Sequence, residues 1–415
     1  MQPLRGTKDI LPEDIIFWQH IYRKTLEILS LSNYHEIRTP IIESTSLFQR
    51  SIGNETDIVN KEMYTFVDQG KRNITLRPEG TASIVRSFIS NKLYESNKIQ
   101  RLWYLGPMFR YERPQNGRQR QFHQLGIECI GSLDPMADTE VIRLANKILN
   151  VLGCLSHKIE INSIGNLEER SIYQQSLVEY LIKYKEELDE ESQRRLSINP
   201  FRLLDSKNKK VQEIINHAPK LYNYLSNESL KHFDDVCTNL SNLEIQYCIN
   251  HQLVRGLDYY NYTAFEMKTN ELGSQDTICG GGRYDKLIQQ LGGPCIPAVG
   301  WAIGIERLLL LIKDKIKITA HKPLIYISTQ GTKAKQKVWQ VINILEEQNI
   351  SFELDLHNTT LSKQIKKACK SGAQVCLILG DKEVTTECIT LKWLNKHYQE
   401  TIKDIHLVQA LQDIL

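Results

Sequence analysis

The densest chemistry lies between Gly106 and Gly126, in GPMFRYERPQNGRQRQFHQLG. From Arg101 to Leu125 there are five arginines and one acid, Glu112. A guanidinium is a planar fork of N–H donors that takes phosphate oxygens two at a time, so a hairpin carrying several could hold a nucleotide or an RNA end. Met108-Phe109-Arg110 starts as a strand, Pro114, Asn116 and Gly117 make a polar loop, and Gln121-Phe122-His123-Gln124 begins a return strand. Taken alone, such a cluster is more often a solvated loop. Gly280-Gly281-Gly282 lacks the spacing and the Lys-Ser/Thr of a phosphate-binding P-loop. It reads as a tight bend that lets backbone approach a substrate.

The elements that must position these residues follow from periodicity. Helical spacing of apolar residues runs from Phe17 to Leu31 and from Thr139 to Leu152. Strand-like stretches lie at Met63–Val67, Ile74–Leu76, Leu102–Tyr111 and Gln124–Ile130, close enough in sequence to predict an antiparallel sheet with flanking helices. After Gly165 no glycine appears until Gly256, and the run Lys183–Arg195 is strongly charged. Residues 167–243 therefore read as a helical insertion whose charges face water. Glycines and strand formers return from Leu253 to Arg307, and a Lys-rich linker, Lys313–Lys322, follows. Beyond Pro323, strands alternate with helices, which predicts a small parallel or mixed α/β domain. The expected division is 1–166 and 244–318 as one core, 167–243 inserted, and 322–415 as the last domain.

The net charge of +3 excludes a globally cationic surface, so any nucleic-acid contact must be local. Nine cysteines scattered from Cys129 to Cys388, without a C-x-x-C pair, argue against a disulfide framework or a zinc site and fit a reducing cytoplasm. The longest aliphatic run near the middle, Leu308–Ile312, is too short to span a bilayer, so no membrane partner is expected.

FRYERP followed by RQRQFHQ resembles motif 2 of class II aminoacyl-tRNA synthetases in the form found in histidyl-tRNA synthetases. LVRGLDYY at Leu253–Tyr260 and GGGRYD at Gly280–Asp285 resemble the two histidine-specific signatures. AIGIERLLLL at Ala302–Leu311 is similar to motif 3, RTPIIE at Arg38–Glu43 to the dimer-forming motif 1, and TLRPEGTA at Thr75–Ala82 to a segment of the amino-acid pocket. These segments stand in the family's order along essentially the whole chain. Lys286 and Ser83 depart from it, where the family commonly has glycine.

The resemblance implies a class II α+β catalytic core, a helical insertion and a C-terminal α/β anticodon-binding domain. Such an enzyme joins histidine to ATP as histidyl-adenylate and passes it to the tRNA for histidine, working as a homodimer with Mg2+. It further implies that Arg110 meets the α-phosphate, Arg255 the α-phosphate and the carboxylate of the bound histidine, Arg307 the γ-phosphate, and Glu112 the ATP site. Glu128 and Tyr260 would satisfy the imidazole nitrogens of L-histidine, Tyr284 and Tyr259 would close the pocket, and Glu79, Thr81 and Gln124 would hold the α-ammonium. Gln115, Arg118 and Arg120 would meet the tRNA acceptor end. The alternative for Arg255 is an ion pair to Asp258 or Glu128, and His123 reads as a hairpin stabiliser. Glu306 either fixes the fork of Arg307 or binds Mg2+; the sequence does not choose, and the metal ligands stay unknown. Intact signatures and a C-terminal domain argue against the family's non-catalytic relative, the regulatory subunit of ATP phosphoribosyltransferase. Intact Arg110, Arg255 and Arg307 likewise argue against an RNA-binding regulator.

Overall fold

The structure, a computed structural model, describes residues 1–53, 56–204, 206, 208–273, 276–318, 322–396 and 398–411. It divides into two units, Met1–Ile318 and Thr319–Leu415. Thr319–His321 of the expected linker lie outside the described residues.

In the first unit, α1 (Pro12–Ser30) starts on a proline, whose missing N–H is no loss there, and carries Glu13 and Asp14 at the positive end of the helix dipole. β1 (His35–Glu36), β2 (Ile42–Ser44), α2 (Thr45–Ile52), β3 (Tyr64–Val67), β4 (Asn73–Leu76) and α3 (Thr81–Ser90) follow. The hairpin of β5 (Gln100–Phe109) and β6 (Gln121–Ile130) leads to α4 (Pro135–Val151) and β7 (Lys158–Ser163). Next come α5 (Leu167–Ile182), α6 (Glu190–Ile198), α7 (Lys209–Asn216) and α8 (Asn227–Asn242), then β8 (Cys248–Ile249) and β9 (Asn261–Lys268). β10 (Thr277–Arg283), α9 (Leu287–Gln290), β11 (Ala298–Gly304) and α10 (Ile305–Ile312) complete the unit.

The main sheet has eight strands in the order β1-β5-β6-β11-β10-β9-β7-β8, and β2-β4-β3 form a separate antiparallel sheet. Every pairing from β5 to β7 is antiparallel, as expected; β1–β5 and β7–β8, at the two ends, are parallel. Side chains alternate along a strand. β6 and β11 accordingly send Leu125, Ile127, Val299, Trp301 and Ile303 into the core shared with Ile21 of α1, Leu144 of α4, Val236 of α8 and Leu308 of α10. The opposite face is paved with small residues: Gly126 and Gly280 both pair with Ala302, and Gly282 pairs with Gly300. A hollow is left over the middle of the sheet.

This corrects the reading of Gly280-Gly281-Gly282 as a tight bend. All three lie inside β10 and pair in unbroken register with β11. What requires glycine is the space above them. A Cβ on Gly280 would fall 2.5 Å from the Arg255 guanidinium, and one on Gly282 would fall 2.9 Å from the Tyr260 ring.

The described residues of 167–243 are helical and contain no strand. Asn166 caps α5 in a capping box with Glu169. The buried Glu169 carboxylate also accepts from the Ser226 backbone N–H at 2.8 Å and from the Ser229 hydroxyl, so one side chain ties the start of α5 to the start of α8. Helix α8 then packs on α4, with Phe233 and Leu240 in the main core.

In the second unit, β12 (Ile325–Gln330), α11 (Thr332–Glu347), β13 (Phe352–Leu354), α12 (Leu361–Ser371), β14 (Val375–Gly380), α13 (Asp381–Thr385), β15 (Cys388–Trp393), β16 (Tyr398–Lys403) and α14 (Leu407–Ala410) follow in order. The sheet β13-β12-β14-β15-β16 is parallel across its first three strands and antiparallel after them, the mixed α/β pattern expected. Among the described residues, no helix is long and apolar enough to cross a membrane.

Candidate active site

A cleft of about 770 Å³ opens over the glycine-paved face of the main sheet. At its back, the chain leaving β4 turns into α3 at Glu79-Gly80. The Glu79 carboxylate accepts from the backbone N–H groups of Thr81 (2.7 Å) and Ala82 (2.8 Å), the free donors of the first helical turn. Burial nevertheless raises its pKa above the usual carboxylate range. The Thr81 hydroxyl donates to Glu128 at 2.7 Å, and the Tyr284 hydroxyl donates to the other Glu128 oxygen. Glu128 is only 1% exposed, and burial pushes its carboxyl up to about 8. Tyr259 packs against Tyr260 and Tyr284 with ring centroids 4.6 and 5.6 Å apart. Glu79, Thr81, Gln124, Tyr259 and Tyr260 line the cleft; Glu128 and Tyr284 stand behind them. The Gln124 side-chain oxygen has no partner among the described residues.

The arginines line the same cleft. Arg110 donates from Nε to the Pro78 carbonyl at 2.8 Å and lies 5.3 Å over Phe122. Arg307 donates to the Thr277 carbonyl at 2.8 Å; burial lowers its pKa, and the nearby cation Arg118 adds to that. Arg255 pairs with Glu266, so its partner is neither Asp258 nor Glu128. Burial opposes its charge, but Glu266 together with Tyr260 and Tyr259 outweighs this and holds the pKa above the usual value. Several cations packed this closely in a partly dry site are held ready for an anion.

The hairpin loop folds over this site. Arg118 pairs with Glu112 at 3.1 Å, and a Cβ on Gly117 would meet Arg307 at 3.1 Å. Gln115 is exposed at the loop tip, and Arg120 lies beside the cleft lining, stacked 3.7 Å over Tyr111. His123 ties the hairpin to its neighbours rather than bracing it internally: its Nδ1 and backbone N–H both meet Glu306 of α10 at 2.9 Å, and Trp18 of α1 packs edge-on at 4.6 Å. Glu306 itself lines the cleft. The buried Arg283 of GGGRYD is structural, pairing with Asp138 and donating to the Ser132 carbonyl at 2.7 Å. Sequence reasoning missed Glu266, Lys268 and Thr277, which line the cleft beside Arg255. The signal was present in Asn261–Lys268, where Glu266 and Lys268 alternate with apolar Phe265 and Met267.

A family model described as histidyl-tRNA synthetase matches residues 6–308, and one described as anticodon binding domain matches 324–414. The histidine–tRNA ligase of Gracilaria tenuistipitata var. liui, named chloroplastic, is 64% identical over 100% of this chain and 98% of its own length. The apo crystal structure of S. aureus histidyl-tRNA synthetase, 37% identical, superimposes with a TM-score of 0.82 over 99% of both chains. A Bacillus halodurans structure described as ATP phosphoribosyltransferase regulatory subunit/histidyl-tRNA synthetase shares the fold at 22% identity and a TM-score of 0.66, covering 92% of this chain and 98% of its own. With a cleft that joins three arginines to a buried carboxylate, and with likeness along its full length, the chain belongs to the histidyl-tRNA synthetase family, ligases that activate histidine with ATP and load it onto tRNA.

Proposed function

We propose that this histidine–tRNA ligase makes its adenylate on the glycine-paved floor of the cleft. The reading rests on one juxtaposition: a buried carboxylate with two hydroxyl donors behind the cleft, and Arg110, Arg255 and Arg307 along its open side. The histidine carboxylate attacks the α-phosphate of ATP, forming a C–O–P linkage as the bond to pyrophosphate breaks. Negative charge grows on the phosphate oxygens, where Arg110 and Arg255 offset it, while Arg307 holds the γ-phosphate and Glu112 bounds the ATP site. Glu79, Thr81 and Gln124 take the α-ammonium. Glu128 and Tyr260 meet the imidazole nitrogens, which need one donor and one acceptor, and Tyr259 and Tyr284 pack the ring.

Mg2+ would accompany ATP and neutralise its phosphates. Among the described residues, no group of three or more His, Cys, Asp or Glu side chains forms a metal cage. That suits an ion that keeps several waters and takes one or two carboxylates beside the phosphates. Glu112, Asp276 and Glu306 are cleft carboxylates suited to this, Glu112 being paired with Arg118 and Glu306 with His123.

Residues 1–166 with 244–318 act as the catalytic core, 167–243 as an insertion clasping the acceptor arm, and 322–415 as the anticodon reader. Gln115, Arg118 and Arg120 meet the acceptor end. A homodimer is supported by apolar side chains exposed on the small sheet, among them Ile42, Phe66 and Val67. The nine cysteines are free thiols, which suits the reducing cytoplasm; the chloroplastic name of the Gracilaria relative favours a plastid interior instead, and cell fractionation decides.

Single-turnover adenylate formation tests the site. Arg255→Ala should slow it about 10²–10³-fold, the usual loss for one oxyanion stabiliser, in a protein that still folds cooperatively. A rate within threefold of the parent would exclude this role.

A further inference from the structure

Arg255 stands at the end of a chain of charges. Its Nη1 donates to Glu266, which lies on β9 directly across from Gly280. The other Glu266 oxygen accepts from the Thr277 hydroxyl at 3.1 Å and faces the Lys268 ammonium at 3.4 Å. Lys268 in turn donates to Glu160 at 2.8 Å, and Asn250 donates to the same Glu160 oxygen, also at 2.8 Å. The four charged side chains alternate in sign from the loop before β9 across β9 to β7 and are only 15–24% exposed.

This arrangement does more than neutralise charge. An arginine side chain free to choose its rotamer forfeits conformational entropy when it is fixed. Here the fixing is done before any ligand arrives. Glu266 holds one terminal nitrogen, Gly280 supplies the space beneath the guanidinium, and Arg255 lines the cleft. Thr277 serves both sides of the cleft: its hydroxyl steadies Glu266 and its carbonyl accepts from Arg307. Without the Glu266 carboxylate, Lys268 and Arg255 would face one another as like charges, with Glu160 and Asp276 acting on Lys268 alone.

We propose that Glu266 is a positioning residue for adenylate formation, clamping Arg255 in the orientation the α-phosphate requires, with Thr277 and Lys268 fixing the clamp. This rests on the reading of Arg255 as the cation at the α-phosphate. Glu266 itself touches no reacting atom.

The test is single-turnover adenylate formation at saturating ATP and histidine in the parent, Arg255→Ala, Glu266→Gln and the double variant. Glu266→Gln should slow the step about 10–100-fold, the scale of an ångström's misplacement, while histidine and ATP affinities change less than threefold. The double variant should be no slower than Arg255→Ala, because residues acting as a unit are not additive. Glu266→Asp, which keeps the charge with a shorter reach, should fall between the parent and Glu266→Gln. Parental rates in Glu266→Gln beside a slow Arg255→Ala would overturn this inference alone, as would single effects that multiply in the double variant. Parental rates in Arg255→Ala would remove the active-site reading and this inference with it. Should Glu266→Gln fail to fold, Thr277→Val decides: a several-fold loss at unchanged affinity supports the clamp, and a parental rate overturns it.

Discussion

Replacing Glu128 with glutamine should stabilise the ligand-free protein at alkaline pH and spoil its hold on histidine. Burial, reinforced by the charge of Glu79, holds the Glu128 carboxyl at about 8 in the folded state against an ordinary value of 4.5, even though Tyr284 and Thr81 donate to it. Below pH 4.5 the carboxyl is protonated in both states and stability is unaffected. Between 4.5 and about 8 the unfolded chain releases the proton and the folded chain retains it, so stability falls by about 1.4 kcal/mol per pH unit. Roughly 3 kcal/mol is gone by neutrality. Glutamine keeps the size of the side chain and an acceptor for Thr81, and its amide can donate to the Tyr284 oxygen, so the variant escapes most of this loss. Ligand-free thermal melts at pH 5 and pH 8 should coincide at the lower pH and separate by several degrees at the higher, with the variant melting later. Calorimetry at neutral pH should show histidine binding weakened by on the order of 1–3 kcal/mol, as for a polar ring that loses one hydrogen-bond partner, with ATP binding preserved. An equal melting difference at both pH values, or unchanged histidine affinity, would refute the reasoning.

Gly280→Ala should slow adenylate formation by at least tenfold with little change in histidine affinity, because its Cβ would fall 2.5 Å from the Arg255 guanidinium; single-turnover kinetics checks this. The protein should scatter light as a dimer at micromolar concentration. A chain ending near Lys317, just inside the first unit, should still make histidyl-adenylate while its charging of tRNA falls much further, and parallel assays of both steps decide.

The strong periodic elements were legible in sequence because their signal is local. The β5–β6 hairpin follows from strand formers on both sides of a Pro-Asn-Gly loop, and the glycine-free stretch folds into helices as its composition implies. The two outer strands, β1 and β8, are two residues long, too short to carry an alternation pattern. Gly280 misled because a glycine run suggests a bend, whereas its need for space is set by Arg255, distant along the chain. Glu266 sits in a visibly alternating strand, yet nothing local says which cation it faces. Nor does the helical pattern of 227–242 show that α8 packs on α4 within the main core.

Amino-acid-dependent exchange of pyrophosphate into ATP tests the central claim most directly. Purified protein, given each amino acid in turn, should catalyse exchange with histidine alone, because the proposed site sets Glu128 and Tyr260 to meet a ring with two polar nitrogens. Equal exchange with another amino acid, or none with histidine, would contradict it.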